Sequence, residues 1–206
     1  MVIAGHNGAG KTTFYKERLE AAIGTLLDAH INADDIERVV SDDRGQGGHS
    51  KEDLEGMAAE EATRLRLRYL EQDISFSFET VFSDPVMEKA RFMEEARQRG
   101  YLVVLLAVGL ESIGKSKERV AIRHAKGGHN IREDKLEQRY GRVLRNFALG
   151  ASAASLAIFL DNSEDREEDT ADTYWDIAFF EGGNLVCKVE SPPAWWLEVE
   201  RIQSKQ

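Results

Sequence analysis

Residues 5–12 read Gly-His-Asn-Gly-Ala-Gly-Lys-Thr and match the pattern G-x-x-x-x-G-K-[ST]. The short apolar stretch at residues 2–4 predicts a strand before the match, and a helical stretch follows at residues 11–23. A strand, a glycine-rich turn and a helix N-terminus in this order form a phosphate-binding loop, because backbone N–H groups and the helix dipole converge on the anion. The stretch therefore predicts a nucleotide-binding α/β fold.

The whole loop is expected to contact nucleotide. The predicted nucleotide-binding residues are Gly5, His6, Asn7, Gly8, Ala9, Gly10, Lys11, Thr12 and Thr13. The Lys11 ammonium would reach the β- and γ-phosphates, and the Thr12 hydroxyl would be a ligand of Mg²⁺, which prefers oxygen donors. No Asn-Lys-x-Asp signature for guanine is present, so ATP is the favoured cofactor and GTP stays open. The loop alone does not separate a kinase from an ATPase or GTPase.

The remaining pattern alternates strands with helices. Predicted strands cover residues 2–4, a segment ending near 32, 74–78, 101–110 and 156–160. Predicted helices cover residues 11–23, 36–40, 51–71 with Ser50 as N-cap, 84–99, 118–125 and 133–149, and loops are expected at residues 45–50 and 127–128. This order predicts βαβ units, that is, a parallel sheet flanked by helices. Residues 176–189, around a Gly-Gly-Asn turn, predict a C-terminal β-hairpin appendage.

Length and composition predict one domain over residues 1–206, with a core at 1–163 and a hairpin and tail at 164–206. The chain has 206 residues and a net charge of -10, which argues against a general nucleic-acid coat. The single Cys excludes an intramolecular disulfide. Because no signal peptide or membrane-spanning apolar run is evident, we expect a soluble cytoplasmic protein without a membrane partner.

Positive charge is concentrated in residues 115–145, which hold ten Lys or Arg against four acidic side chains. Arginines stabilise the charge on a transferred phosphoryl group, so this segment is a candidate lid over the phosphate loop. The alternative is a solvated helical face with local ion pairs, for example Asp134 near Arg139. We expect Trp195 and Trp196 to pack the tail onto the core.

Carboxylates follow the predicted strands. Asp34 and Asp35 come just after the second strand, where one could act as a general base while the other caps the next helix. Glu79 ends the strand near residue 78 and could bind a hydroxyl, help to hold Mg²⁺, or be a solvated strand end. Asp161, which ends the last core strand, is interpreted as structural or as part of the nucleotide-site wall.

Several motifs in the right order resemble the zeta toxin-like P-loop kinases, also described as UDP-N-acetylglucosamine kinases. They lie within about residues 2–163 and read IAGHNGAGKTT at 3–13, INADDI at 31–36, FETVFS at 78–83, GYLV at 100–103, VGLES at 108–112, RVAIRHAKGGH at 119–129 and DNS at 161–163. The sequence departs from the family pattern at residues 130–132 and at residues 81–83.

The resemblance implies a five-stranded parallel core and ATP-dependent phosphorylation of a hydroxyl on a UDP-activated sugar. It implies that Asp34 is the base, that Lys11 holds the donor phosphates and that Thr12 holds Mg²⁺. It also implies sugar contacts from Asn32, Glu79 and Thr80, and two lid arginines, best assigned to Arg123 and Arg139.

Three alternatives stay open. One is another small-molecule acceptor, and a second is a nucleic-acid end kinase, which the acidity disfavours. The third is a nucleotide-dependent interaction protein of a toxin–antitoxin pair, with a small antitoxin docking near residues 164–181.

Overall fold

The computed structural model describes residues 1–44, 50–127, 131–165 and 174–205. Its strands are β1 (Val2–Gly5), β2 (Ala29–Ile31), β3 (Phe76–Thr80), β4 (Val104–Gly109), β5 (Leu156–Asp161), β6 (Trp175–Glu181) and β7 (Asn184–Lys188). Its helices are α1 (Lys11–Phe14), α2 (Glu20–Ile23), α3 (Ala33–Arg44), α4 (Lys51–Glu71), α5 (Glu88–Gln98), α6 (Ile113–Ala125), α7 (Glu133–Ala153) and α8 (Ala194–Gln203). A π-helical turn, Tyr15–Leu19, joins α1 to α2.

The chain divides into two compact units. The first comprises Met1–Thr13 with Val81–Gln206, and the second comprises Phe14–Thr80. Residues 45–49 of the predicted loop at 45–50, and Gly128 of the predicted loop at 127–128, lie outside the described residues.

In the first unit β4 pairs in parallel with both β1 and β5. Residues 105–108 of β4 are all buried, as expected for a central strand of a parallel sheet. The predicted hairpin is present as β6 and β7, and β6 pairs antiparallel with β5, so the hairpin continues the sheet. Parallel strands with helices between them and a C-terminal hairpin confirm the predicted α/β class.

The tail of the first unit is anchored by aromatic packing. Trp195 and Trp196 of α8 are 2% and 0% exposed, which confirms that they pack against the core. Phe147 of α7 meets the Trp195 ring edge-on, and Phe159 of β5 lies 4.8 Å from the Trp196 ring. Burial of side chains of this size is a major stabilising contribution to a small unit.

In the second unit β2 pairs in parallel with β3, and α3 packs against α4. The predicted N-cap of α4 is confirmed: the Ser50 hydroxyl accepts from the Asp53 N–H at 3.2 Å. The Asp53 carboxylate accepts from the Ser50 N–H in return, which completes a capping box.

Three predicted helix starts are wrong. Helix α5 begins at Glu88 instead of Asp84, because Met87 adopts a left-handed conformation (φ 58°) just before it. Helix α6 begins at Ile113 instead of residue 118, because the Ser112 hydroxyl caps it by accepting from the Lys115 N–H. Helix α3 begins at Ala33 instead of residue 36. No helix in the described parts of the chain is long and apolar enough to cross a membrane.

Candidate functional site

The phosphate loop lies between the end of β1 and the start of α1, as predicted. Gly8 and Gly10 have φ values of 78° and 87°, in the left-handed region that only glycine enters without strain. The Ala9 N–H donates to the His6 carbonyl at 3.1 Å, which closes the turn. The resulting loop leads directly into the first turn of α1, whose N–H groups point toward the start of the helix.

The Lys11 ammonium is held within the loop itself. It donates to the Gly5 carbonyl at 3.0 Å and to the His6 carbonyl at 3.1 Å. This places a full positive charge beside the N–H groups at the start of α1, where an anion is favoured. Thr12 follows in the same turn, so a hard oxygen donor of the kind that Mg²⁺ prefers lies next to the lysine.

His6 lies in the protein interior. Its side chain is 2% exposed and stacks on Tyr140 of α7 with ring centroids 4.5 Å apart. Burial, reinforced by the Lys11 charge, lowers the pKa of His6 to about 3, so the imidazole is neutral at physiological pH. Its ring is therefore part of the core beneath the loop, and the main chain is what His6 can offer to a nucleotide.

Side chains from elements distant in the sequence donate hydrogen bonds to the backbone carbonyls of the loop. The Ser116 hydroxyl donates to the Asn7 carbonyl at 2.7 Å, and the Asn162 amide donates to the Ala9 carbonyl at 2.9 Å. The Tyr174 hydroxyl donates to the Gly10 carbonyl at 2.8 Å. Sequence reasoning missed all three. Only Asn162 had a signal, in the Asp-Asn-Ser stretch.

The predicted lid is partly an ion-paired surface. Lys117 of α6 bridges Glu133 and Glu137 of α7 at 2.9 and 2.7 Å, and Lys115 pairs with Asp165. Asp134, which is expected near Arg139, pairs with Arg132 at 2.6 Å. These pairs match the solvated-face alternative, and exposed pairs contribute little to stability.

Two arginines of this segment lie close to the phosphate loop: Arg139 contacts the loop, and Arg119 contacts the chain after β5. Arg139 donates to the Asn7 side-chain oxygen at 3.3 Å, so one of the two predicted lid arginines touches the loop. Arg119 donates to the Asn162 and Glu164 carbonyls at 2.5 Å each, and its Cβ lies 3.0 Å from where a Cβ on Gly8 would be. Arg123, the other predicted lid arginine, lines a cleft of about 340 Å³ on α6 with Arg119, Ile122 and Lys126.

Asp161 is structural, which is one of its two predicted roles. Its carboxylate accepts from the Trp195 indole N–H at 2.6 Å and from the Ser163 hydroxyl at 2.7 Å. It therefore fixes α8 and the chain that leaves β5.

The second unit gathers the predicted substrate-binding residues around the ends of β2 and β3. Asn32 donates its side-chain amide to Glu79 at 3.1 Å, and its side-chain oxygen accepts from the Asp34 N–H at 2.9 Å. Asn32 is therefore the capping group at the start of α3, and the predicted capping by Asp34 or Asp35 is wrong. Asp34 and Asp35 lie in the first turn, where the helix dipole favours carboxylates, and Asp35 pairs with Arg38 at 3.0 Å.

Further polar and aromatic groups surround Glu79, whose side chain is 6% exposed. The His30 ring lies with one nitrogen 3.4 Å from the Glu79 carboxylate and the other 2.7 Å from the Ser77 hydroxyl. Tyr15, at the start of the π-helical turn, stacks on His30 with centroids 3.7 Å apart. Sequence reasoning missed Tyr15, His30 and Ser77, because their association depends on the strand register that places His30 opposite Ser77.

Comparisons with known proteins agree with this architecture. A family model described as zeta toxin matches residues 1–169. No curated protein sequence matches the chain.

Two solved structures show the same fold at low sequence identity. The crystal structure of AvrRxo1-ORF1:AvrRxo1-ORF2 with sulphate ions superposes with a TM-score of 0.60 at 17% identity, over 100% of this chain and 64% of that chain. This chain thus spans less than two thirds of that neighbour. The PezAT chromosomal toxin–antitoxin system of Streptococcus pneumoniae superposes with a TM-score of 0.60 at 12% identity, over 99% of this chain and 85% of that chain. A putative kinase from Chloroflexus aurantiacus has a TM-score of 0.49 at 20% identity, over 69% and 74% of the two chains.

The family match covers most of the chain and includes the phosphate loop, the β2–α3 junction and the basic helices. The chain therefore belongs to the zeta toxin family.

Proposed function

We propose that the chain transfers the γ-phosphoryl group of ATP to a hydroxyl of a sugar nucleotide such as UDP-N-acetylglucosamine. The observation that carries the proposal is the position of Asn32, whose side chain bonds both the Asp34 backbone and the Glu79 carboxylate. The proposed substrate-binding carboxylate and the candidate base are thereby linked through one side chain. Nucleotide binding by a phosphate loop does not by itself require a linked pair such as Asp34 and Glu79.

Acceptor binding is assigned to the second unit. Glu79, oriented by Asn32 and His30, would accept hydrogen bonds from sugar hydroxyls, and Thr80 would add a hydroxyl of its own. A carboxylate with so little solvent exposure makes strong hydrogen bonds, because little water competes for it.

Donor binding is assigned to the phosphate loop. Lys11 and the loop N–H groups would hold the β- and γ-phosphates, with Arg139 and Arg123 neutralising charge on the moving group. Thr12 fits a Mg²⁺ ligand, and the ion would supply charge neutralisation between the phosphates. The acceptor, the donor and Mg²⁺ are proposals that rest on these residue types and on family membership.

The reaction is a single displacement. The acceptor oxygen forms a bond to the γ-phosphorus while the bond from that phosphorus to the β,γ-bridging oxygen breaks, so ADP leaves. Asp34 takes the hydroxyl proton, which makes the attacking oxygen a better nucleophile. We place this reaction in the cytoplasm, where ATP is available.

The test is transfer from γ-labelled ATP, with Mg²⁺, to a panel of UDP-sugars and to oligonucleotides with free 5′-hydroxyl ends. We expect label on at least one UDP-sugar and none on oligonucleotides. Label on oligonucleotide ends would support a nucleic-acid end kinase, and release of phosphate to water alone would contradict the sugar-nucleotide acceptor.

Glu79→Gln tests the acceptor site with whichever UDP-sugar accepts label. Loss of the charge should raise the acceptor KM by about 10-fold or more, since hydrogen bonds to charged groups contribute about 1.5–3 kcal/mol. The KM for ATP should stay within about 2-fold of wild type. Glu71→Gln, the same change at an exposed position of α4, is the control. An unchanged acceptor KM in Glu79→Gln would remove Glu79 from the site.

We also propose a small antitoxin partner. The AvrRxo1 structure contains two proteins, ORF1 and ORF2, and PezAT is described as a toxin–antitoxin system. A surface near residues 164–181 is the proposed contact, although residues 166–173 lie outside the described structure. Co-expression with a small protein encoded next to this gene, followed by co-purification and loss of transfer, is the test. A neighbouring gene whose product neither binds nor inhibits would contradict the partner proposal.

A further inference from the structure

We propose that Tyr174 is a positioning residue for nucleotide binding, and that it orients the backbone of the phosphate loop from its place just before β6. Tyr174 lies beyond residues 1–169, to which the family model extends. This inference rests on the proposed function only in requiring that the loop binds a nucleotide.

The contact is close and specific. The Tyr174 hydroxyl donates to the Gly10 carbonyl at 2.8 Å. A Cβ added to Gly10 would lie 2.6 Å from that hydroxyl and 2.6 Å from the Asn162 amide nitrogen. The two side chains therefore pack directly onto the loop backbone, and only glycine leaves room for them.

Because the peptide group is planar, this contact also orients the backbone N–H groups that are proposed to bind phosphate. In a trans peptide the C=O of one residue and the N–H of the next lie in one plane and point in opposite directions. Tyr174 fixes the Gly10 carbonyl, so it also fixes the Lys11 N–H, which points away from it. Asn162 fixes the Ala9 carbonyl at 2.9 Å and so orients the Gly10 N–H in the same way. Two successive N–H groups of the phosphate loop are thus aimed before any nucleotide arrives.

Tyr174 directly precedes a strand that is paired with the core sheet. The next residue, Trp175, begins β6 and pairs with Asp161 at the end of β5. Asp161 in turn accepts from the Trp195 indole at 2.6 Å, and a Cβ on Gly109 would lie 2.3 Å from that ring. The residue after Tyr174 is therefore paired with Asp161, and helix α8 holds that aspartate in turn.

The prediction is a loss of nucleotide affinity in Tyr174→Phe, which keeps the ring and removes the hydroxyl. One hydrogen bond of this kind corresponds to an increase of about 3- to 10-fold in the Kd for Mg²⁺–ADP or a non-hydrolysable ATP analogue. The KM for ATP should rise by a similar factor, while kcat at saturating ATP and the acceptor KM stay near wild type. A purely structural role would lower the melting temperature without this selective change.

The experiment is isothermal titration of the full chain with Mg²⁺–ADP, without acceptor, at a temperature at which circular dichroism shows every variant folded. Tyr101→Phe is the matched control, because Tyr101 precedes β4 at the opposite end of the strand from the loop. Wild-type affinity in Tyr174→Phe, or an equal loss in Tyr101→Phe, would overturn the inference and leave the proposed function standing. Failure of the wild-type protein to bind any nucleotide would overturn both.

Discussion

At the residue scale, the chemistry of the phosphate loop depends on which groups are charged. Lys11 supplies the positive charge, while burial keeps the adjacent His6 neutral, with a pKa of about 3. A neutral imidazole packs against the Tyr140 ring without the cost of burying an ion. The loop is therefore built on an apolar base, although anion binding is its proposed function.

His6 makes the folded state sensitive to acid. An unfolded chain binds a proton at His6 below pH 6.5, but the folded chain does not until about pH 3, so stability falls as the pH drops through this window. The contribution approaches about 1.4 kcal/mol per pH unit, or about 2 kcal/mol between pH 7 and pH 5. His6→Phe should remove this slope, as measured by urea unfolding at several pH values. Parallel curves for the variant and the wild type would show that His6 is not the group responsible.

At the element scale, helix α8 packs closely against the carboxyl ends of β4 and β5. Gly109 ends β4 directly beneath the Trp195 ring, and Asp161 ends β5 with a hydrogen bond to that ring. The carboxyl ends of both strands are thus covered by the C-terminal helix. The tail consequently stabilises the edge of the sheet from which the loop and the chain after β5 emerge.

Gly109→Ala tests this arrangement. The added methyl would lie 2.3 Å from the Trp195 ring, so the ring must move and its bond to Asp161 must break, at a cost of about 2–4 kcal/mol in unfolding free energy. Gly141→Ala is the control: it lies on the exposed side of α7 with nothing within 4 Å, and should gain about 0.5–1 kcal/mol from helix propensity. Two variants of equal stability would contradict the packing described for α8.

At the scale of the whole molecule, charge is segregated along the chain. The net charge of -10 contrasts with the basic segment at residues 115–145, part of which meets the phosphate loop through Arg139. Acidic residues concentrate in the stretch at 161–181, and Asp165 of this stretch is paired with Lys115. Because the positive charge is concentrated in one segment, a protein with a negative net charge can still attract phosphate locally.

The parts of the fold that follow from local patterns could be predicted from the sequence. The glycine pattern at residues 5–12 located the loop, and Ser50 located the start of α4. The start of α5 could not be predicted, because Met87 enters a left-handed conformation that its residue type disfavours. The contact from Tyr174 to Gly10 joins residues 164 positions apart, and no local pattern carries such information.

The candidate acceptor site shows the same limit. Asp34 and Glu79 were found because each follows a predicted strand. Their link through Asn32, and the support of Glu79 by His30, arise from the parallel pairing of β2 with β3. That pairing is a tertiary feature, so local sequence patterns predict the two carboxylates but not their contacts with Asn32 and His30.

The central proposal is that Asp34 is the base in phosphoryl transfer from ATP, and Asp34→Asn tests it most directly. We predict that kcat for transfer from labelled ATP falls by about 10²- to 10⁴-fold, since proton transfer by a positioned group contributes this much. The Kd for ATP should stay within about 2-fold of wild type. Asp35→Asn, one residue along the same helical turn, should lose only the pair with Arg38 and retain transfer. Wild-type transfer by Asp34→Asn, or an equal loss in Asp35→Asn, would contradict the account.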